Sequence, residues 1–136
     1  FRGMQGHLAT ITSAQENEFL ALQWGGKNAW IGASDAEQEG EWKWMTGPEA
    51  GHVFWRANGD QGEAVSYANW SRDHGLIEPN NMSGGEHYAI WNWGGAGAGH
   101  TWNDVAPDRT CNSILVEFSP AEEQAPEPAA TPAKTE

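Results

Sequence analysis

Glu78-Pro79-Asn80-Asn81-Met82-Ser83-Gly84-Gly85-Glu86, read together with Trp102-Asn103-Asp104, is the part of the chain from which the rest can be interpreted. The two segments hold two Glu, one Asp and three Asn, with a proline after the first acid and two glycines before the second. Every donor in this set is a hard oxygen. Such a set suits Ca²⁺, which takes six to eight oxygen ligands at about 2.3–2.6 Å and accepts carboxylates and amide carbonyls alike. Zinc calls for His or Cys, and neither stands at ligand spacing along the sequence here.

These residues resemble the sugar-binding C-type lectin-like domains, which carry Glu-Pro-Asn, a second Glu eight residues after the first, and then Trp-Asn-Asp. The likeness extends upstream through Gly6-His7-Leu8-Ala9-Thr10-Ile11, a helix over 13–23, Trp30-Ile31-Gly32 and Tyr67-Ala68-Asn69-Trp70, and downstream to Ile114-Leu115-Val116-Glu117-Phe118. The resemblance implies an α+β fold of small antiparallel sheets, a helix and a long irregular calcium-binding loop region. It implies a calcium site made by Glu78, Asn80, Glu86, Asn103 and Asp104, with Glu78, Asn80, Glu86 and Asn103 also touching carbohydrate. It further implies a cis Glu78–Pro79 peptide, and mannose-type ligands: mannose, N-acetylglucosamine, glucose or fucose.

Asp35 and Glu39 match positions that supply a second calcium site in some family members, together with Asn81 and the shared Glu86. Asn81 stands where those members have an acid, so this second site has one charge fewer; the alternative is that Glu39 bonds the neighbouring turn. His87 replaces the acid that commonly follows the second Glu, and His100 lies just before Trp102. Both read as solvated loop histidines near the metal.

Composition narrows the partners. The formal net charge is −12, and the segment 120–136 carries four Glu against one Lys, so the body of the chain remains strongly acidic. Nucleic acid and anionic membrane both require a basic face, and no apolar run approaches the ~18 residues of a membrane span. No His-Glu-x-x-His pattern or nucleophile constellation is present, which argues against an enzyme. A protein-binding adhesion scaffold with purely structural calcium stays open, because fold alone does not decide between the two. The family implies an extracellular, cell-surface or periplasmic setting and multivalent display through a parent chain.

The single cysteine, Cys111, allows no intrachain disulfide, whereas family members usually have two bridges; the chain resembles the disulfide-poor bacterial members. Domain organisation reads as one lectin-like domain over 1–118 and a Pro/Ala/Glu-rich disordered linker or tail over 119–136. The chain reads as lacking the first strand and most of the first helix that precede Gly6-His7-Leu8 in the family.

Local signals complete the expectation. Ser13 and Glu16 form a capping box, Phe19, Leu20 and Leu22 supply an apolar helix side, and Gly25-Gly26 stops the helix. Trp42 and Trp44 lie at strand spacing with both rings on one face. Residues 46–81 read as irregular loop, 86–93 as a strand, 94–99 as a glycine-rich tip and 112–118 as the closing strand. Most of the nine tryptophans read as core, with Trp91 and Trp93 as the expected exceptions beside the glycine loop.

Overall fold

A computed structural model describes residues 1–58, 61–72, 77–93 and 99–120. Its elements are β1 (Met4–Leu8), α1 (Ala14–Trp24), β2 (Ala29–Ser34), β3 (Glu41–Trp44), β4 (Val53–Asn58), β5 (Gln61–Ala64), a 3-10 turn (Met82–Gly84), β6 (Tyr88–Trp91), β7 (Asn103–Val105), β8 (Ser113–Ile114) and β9 (Val116–Pro120). This is the α+β class expected from the sequence.

Two sheets organise the chain. β1 pairs antiparallel with β9, from Met4 opposite Pro120 to Leu8 opposite Val116. A larger sheet runs β5-β4-β3-β2-β6-β7, with β8 parallel to β2. β6 takes one edge of β2, while β3 pairs with Ala33 and Ser34 and β8 with Ala29 and Trp30 on the other. The closing strand is therefore interrupted at Leu115. That buried residue donates its N–H to the Trp30 carbonyl at 3.1 Å and accepts from the Ala9 N–H at 2.9 Å, tying the two sheets together.

The core is built of indoles. Trp44 stacks on Phe54 with centroids 4.5 Å apart, and Trp42 meets Trp70 edge-on at 4.7 Å. Trp102 lies edge-on to Trp44, Phe54, Tyr67 and Trp70 at 5.8–6.0 Å. Such tilted contacts set the positive ring edge against the negative face. Trp91, expected as a ligand-contact exception, is instead fully buried. Its Nε1 and that of Trp102 both donate to Asn17 Oδ1 at 3.0 Å, so one helix amide satisfies two core indoles.

Ser13 caps α1 as expected, accepting from the Glu16 N–H at 3.1 Å. The Glu16 carboxylate reaches back one residue further than a capping box requires, to the N–H and hydroxyl of Thr12. Gly25 ends the helix at φ 62°. Of the expected apolar side only Leu20 packs on the core: Phe19 is 58% exposed and Leu22 78%, while Asn17 is buried and Ala21 packs beside Leu20.

The 46–81 stretch is not uniformly irregular, since it contains the β4–β5 hairpin. Alternation hides there because Phe54 and Trp55 are consecutive and both buried, and Gln61–Ala64 is a mostly exposed strand. Gly62 faces the Trp55 ring closely enough that any Cβ would collide with it. Most of the expected 94–99 tip, and the tail beyond Pro120, lie outside the described residues. Among the described residues no helix is long and apolar enough to cross a membrane.

Candidate calcium and carbohydrate site

The Glu78–Glu86 loop is held at its root by backbone bonds. Trp70 bridges Trp102, the Ser71 N–H donates to the Trp102 carbonyl at 2.9 Å, and the Glu78 N–H donates to the Ser71 carbonyl at 2.9 Å. The Glu78–Pro79 peptide is cis, as the resemblance implied. Asn81 and Ser83 both adopt left-handed backbone, at φ 45° and 63°, which folds the loop back on itself.

Asp104 anchors the fold of this loop. It is fully buried, and its two oxygens accept from the Asn80 N–H at 3.0 and 3.1 Å and from the Asn81 N–H at 2.7 Å. The Met82 N–H donates to Asn80 Oδ1 at 2.9 Å and to Glu86 Oε2 at 2.8 Å, and the Glu86 N–H donates to Asn81 Oδ1 at 3.0 Å. These bonds occupy Asn80 Oδ1 and one Glu86 oxygen; among the described residues the other Glu86 oxygen has no hydrogen bond.

Glu78, Asn80, Glu86 and Asn103 line one cleft of about 350 Å³. Asp104 lies against a neighbouring cleft that shares Asn80. Glu78 is 2% exposed and Asn103 6%, yet Glu78 Oε2 and Asn103 Oδ1 have no hydrogen-bond partner among the described residues. A buried acceptor without a partner costs about 1–3 kcal/mol, so two of them in one cleft mark a place built for an electropositive guest. The other buried, unpartnered side-chain atoms are the Trp55 and Trp70 indole nitrogens and the Thr101 hydroxyl, and none of these residues lines this cleft.

The electrostatics agree. Burial, then a shared hydrogen bond with Asp104, then repulsion from Asp104 and Glu86 push the Glu78 carboxyl up to about 8. Glu86 is also raised, chiefly by burial, with the Met82 N–H and the Arg109 charge pulling the other way. Crowded carboxylates that resist ionisation are what a divalent cation relieves. The donor set, all oxygen with two acceptors awaiting a partner, fits calcium.

The rim carries residues with little signal in the sequence. Trp93, expected near the ligand from the adjoining glycines, does line the cleft, with Met82, Asp108 and Arg109 beside it. The Arg109 guanidinium lies 4.6 Å over the Trp93 ring. Nothing in the sequence marked Arg109. Cys111 is a half-buried free thiol whose pKa burial raises.

The second expected site comes together differently. Asp35, Glu39 and Asn81 line a cleft of about 220 Å³ with Asn80 and Asp104, but Glu86 faces the other cleft. His87 takes the place of Glu86 in that group, its Nδ1 lying 3.0 Å from Asp35 Oδ1 and 3.4 Å from Glu39 Oε2. The neighbouring turn is bonded by Asp35 rather than Glu39, since the Gly40 N–H donates to Asp35 Oδ2 at 2.8 Å. Neither metal-loop histidine is simply solvated: His100 stacks on Trp91 at 5.3 Å and bonds Asn92 Oδ1 at 3.0 Å.

The sequence matches the Lectin C-type domain family over residues 2–116. The chain belongs to the C-type lectin domain family. Halomucin of Haloquadratum walsbyi is 45% identical over 117 residues, covering 85% of this chain and 1% of halomucin. The hepatic lectin of Gallus gallus is 30% identical over 105 residues, covering 75% of this chain and 39% of that lectin. This C-type lectin domain thus spans only a part of the curated relatives it matches. Among solved structures, the carbohydrate-recognition domain of cow CD23, determined in the presence of a GlcNAc2Man3 oligosaccharide, aligns with TM-score 0.56 and 28% identity, covering 85% of this chain and 70% of that one.

Proposed function

We propose that this C-type lectin domain is a calcium-dependent carbohydrate-binding module of mannose-type specificity, displayed outside the cell or at its surface. The observation that carries the proposal is the pair of buried, unpartnered acceptors, Glu78 Oε2 and Asn103 Oδ1, in the cleft shared with Asn80 and Glu86. These four residues, with Asp104 behind them, would hold calcium. When bound, calcium offers coordination places that two vicinal sugar hydroxyls can fill.

The chain's own residues then complete each hydroxyl. A sugar hydroxyl that gives one lone pair to a cation still needs a donor for its second lone pair and an acceptor for its proton. Asn80 has its Oδ1 occupied by the Met82 N–H, so its NH₂ is the group left to donate. Glu86 keeps one oxygen free of the Met82 N–H and accepts. Glu78 and Asn103 provide the matching acceptor and donor. Pairing acid with amide satisfies each hydroxyl, which acids alone would not do. Asp104, spent on the Asn80 and Asn81 N–H groups, holds the loop rather than the sugar.

The order Glu78 then Asn80 is the one that in this family accompanies equatorial 3- and 4-hydroxyls. Exchanging acid and amide moves the acceptor relative to the donor around the hydroxyl pair, which favours an axial 4-hydroxyl. Inhibition of glycan binding is therefore expected from mannose and not galactose, in calcium and not in chelator. The double change Glu78→Gln with Asn80→Asp should shift the preference toward galactose while calcium is retained. Equal inhibition of the wild type by both sugars would remove the specificity, and glycan binding unaffected by chelator would remove the calcium mechanism.

A further inference from the structure

Family resemblance points to a second calcium at Asp35, Glu39, Asn81 and Glu86, but the side chains there do not form a calcium set. Glu86 faces the other cleft and Asn81 brings no charge, so two of the four positions offer no carboxylate there. What converges instead is Asp35, Glu39 and the imidazole of His87, whose ligand atoms all lie within 4.8 Å of one another. Calcium seeks six to eight oxygens, and an imidazole nitrogen serves it poorly.

We propose that Asp35, Glu39 and His87 form a distinct metal site that takes a divalent ion of the zinc class in place of the second calcium. His87 Nδ1 faces two carboxylate oxygens, Asp35 Oδ1 at 3.0 Å and Glu39 Oε2 at 3.4 Å. One N–H cannot serve both acceptors well, whereas a cation between the three atoms serves all of them. Zinc bonds of about 2.0–2.2 Å in tetrahedral array put neighbouring ligand atoms roughly 3.3–3.5 Å apart, close to the spacings found here. Water would take the fourth position.

The groups around the three ligands hold them in place, as outer partners do in built metal sites. Asp35 is 2% exposed, and the Gly40 N–H at 2.8 Å occupies its Oδ2, leaving Oδ1 directed at His87. The His87 carbonyl accepts from the Ser34 hydroxyl at 2.7 Å and the Asp35 N–H at 3.3 Å, which ties the His87 backbone to the end of β2. Glu39 is the exposed member of the three, its Oε2 already 3.4 Å from His87 Nδ1. Asp35 and Glu39 line one cleft with Asn80, which also lines the cleft of Glu78 and Glu86, so an ion held by the two acids would lie near that loop.

The test uses Co²⁺ as a visible probe, titrated into the calcium-saturated domain. Four-coordinate cobalt gives intense visible absorption, and one equivalent of zinc should erase it. His87→Ala should abolish the band, and Glu39→Gln, at an exposed side chain that leaves folding intact, should weaken cobalt binding about tenfold or more. His87→Asp should replace the cobalt response with a second equivalent of bound calcium by calorimetry. A wild type with no zinc-displaceable band makes the three residues an ion-paired cluster only, and a band that survives His87→Ala places the metal elsewhere; either result overturns the site.

Discussion

Trp102 and Asn103 are neighbours in the chain and both are buried, yet their polar atoms meet opposite fates. The Trp102 indole N–H finds Asn17 Oδ1 inside the core, while Asn103 Oδ1 has no hydrogen-bond partner among the described residues. A folded chain seldom leaves a buried acceptor unpaired without cause. The difference separates the two indoles that Asn17 satisfies within the fold from a cleft whose acceptors, under the proposed function, await a guest. β7 begins at this junction and directs Asn103 into the cleft and Asp104 onto the loop that forms its wall.

The sharpest way to break this comparison is to unpair the core side. Asn17→Ala removes the single acceptor that serves both Trp91 and Trp102. With two buried indole N–H groups left unpaired, each at 1–3 kcal/mol, the domain should lose about 3 kcal/mol in urea denaturation, with or without calcium. A loss below about 1 kcal/mol would show that the indoles find other partners and that the core is no more complete than the cleft.

The cleft side responds to protons. In the metal-free domain the Glu78 carboxyl sits at about 8, above its ordinary 4.5. A raised carboxyl contributes stability that is fully present below 4.5 and is lost as pH rises through about 8, because the folded state holds the proton more tightly than the unfolded chain. The metal-free domain should therefore be less stable at the alkaline end of that window, and Glu78→Gln should flatten the profile. Calcium reverses the preference, since it requires the ionised form. Calorimetry at neutral pH in buffers of different ionisation enthalpy should show proton release on calcium binding, and affinity should rise with pH. Calcium binding without proton release would mean that Glu78 is not a ligand.

This contrast also explains what could be read from the sequence. The convergence of Glu78, Asn80, Glu86 and Asn103 on one cleft was legible because they come from two short segments whose residue types have few other uses together. Trp42 and Trp44 were legible because a strand repeats every two residues. The β4–β5 hairpin was not, since Phe54-Trp55 breaks the alternation and Gln61–Ala64 buries almost nothing. The Asp35–Glu39–His87 corner was hidden for another reason: His87 is 52 residues from Asp35, and the sheet register between β2 and β6, not local spacing, brings them together. Trp91 was misassigned because its neighbouring glycines suggested a rim, whereas the partner that buries it lies 74 residues away in α1.

The smallest expected effect comes from the same helix. Counting apolar residues makes Phe19, Leu20 and Leu22 the anchors of α1, whereas in the structure only Leu20 of the three packs on the core, beside Asn17 and Ala21. Leu22 is 78% exposed, so Leu22→Gln removes little apolar contact. Leu and Gln have nearly equal helix propensities, and a surface change of this kind lies within about 0.5 kcal/mol of zero. Thermal and urea midpoints should therefore stay where they are, at the same calcium concentration at which Asn17→Ala lowers both. A loss above about 1 kcal/mol would mean that this face of α1 is covered in solution. The helix would then be held by apolar burial as well as by its amide, and the core would extend past the indoles that Asn17 completes.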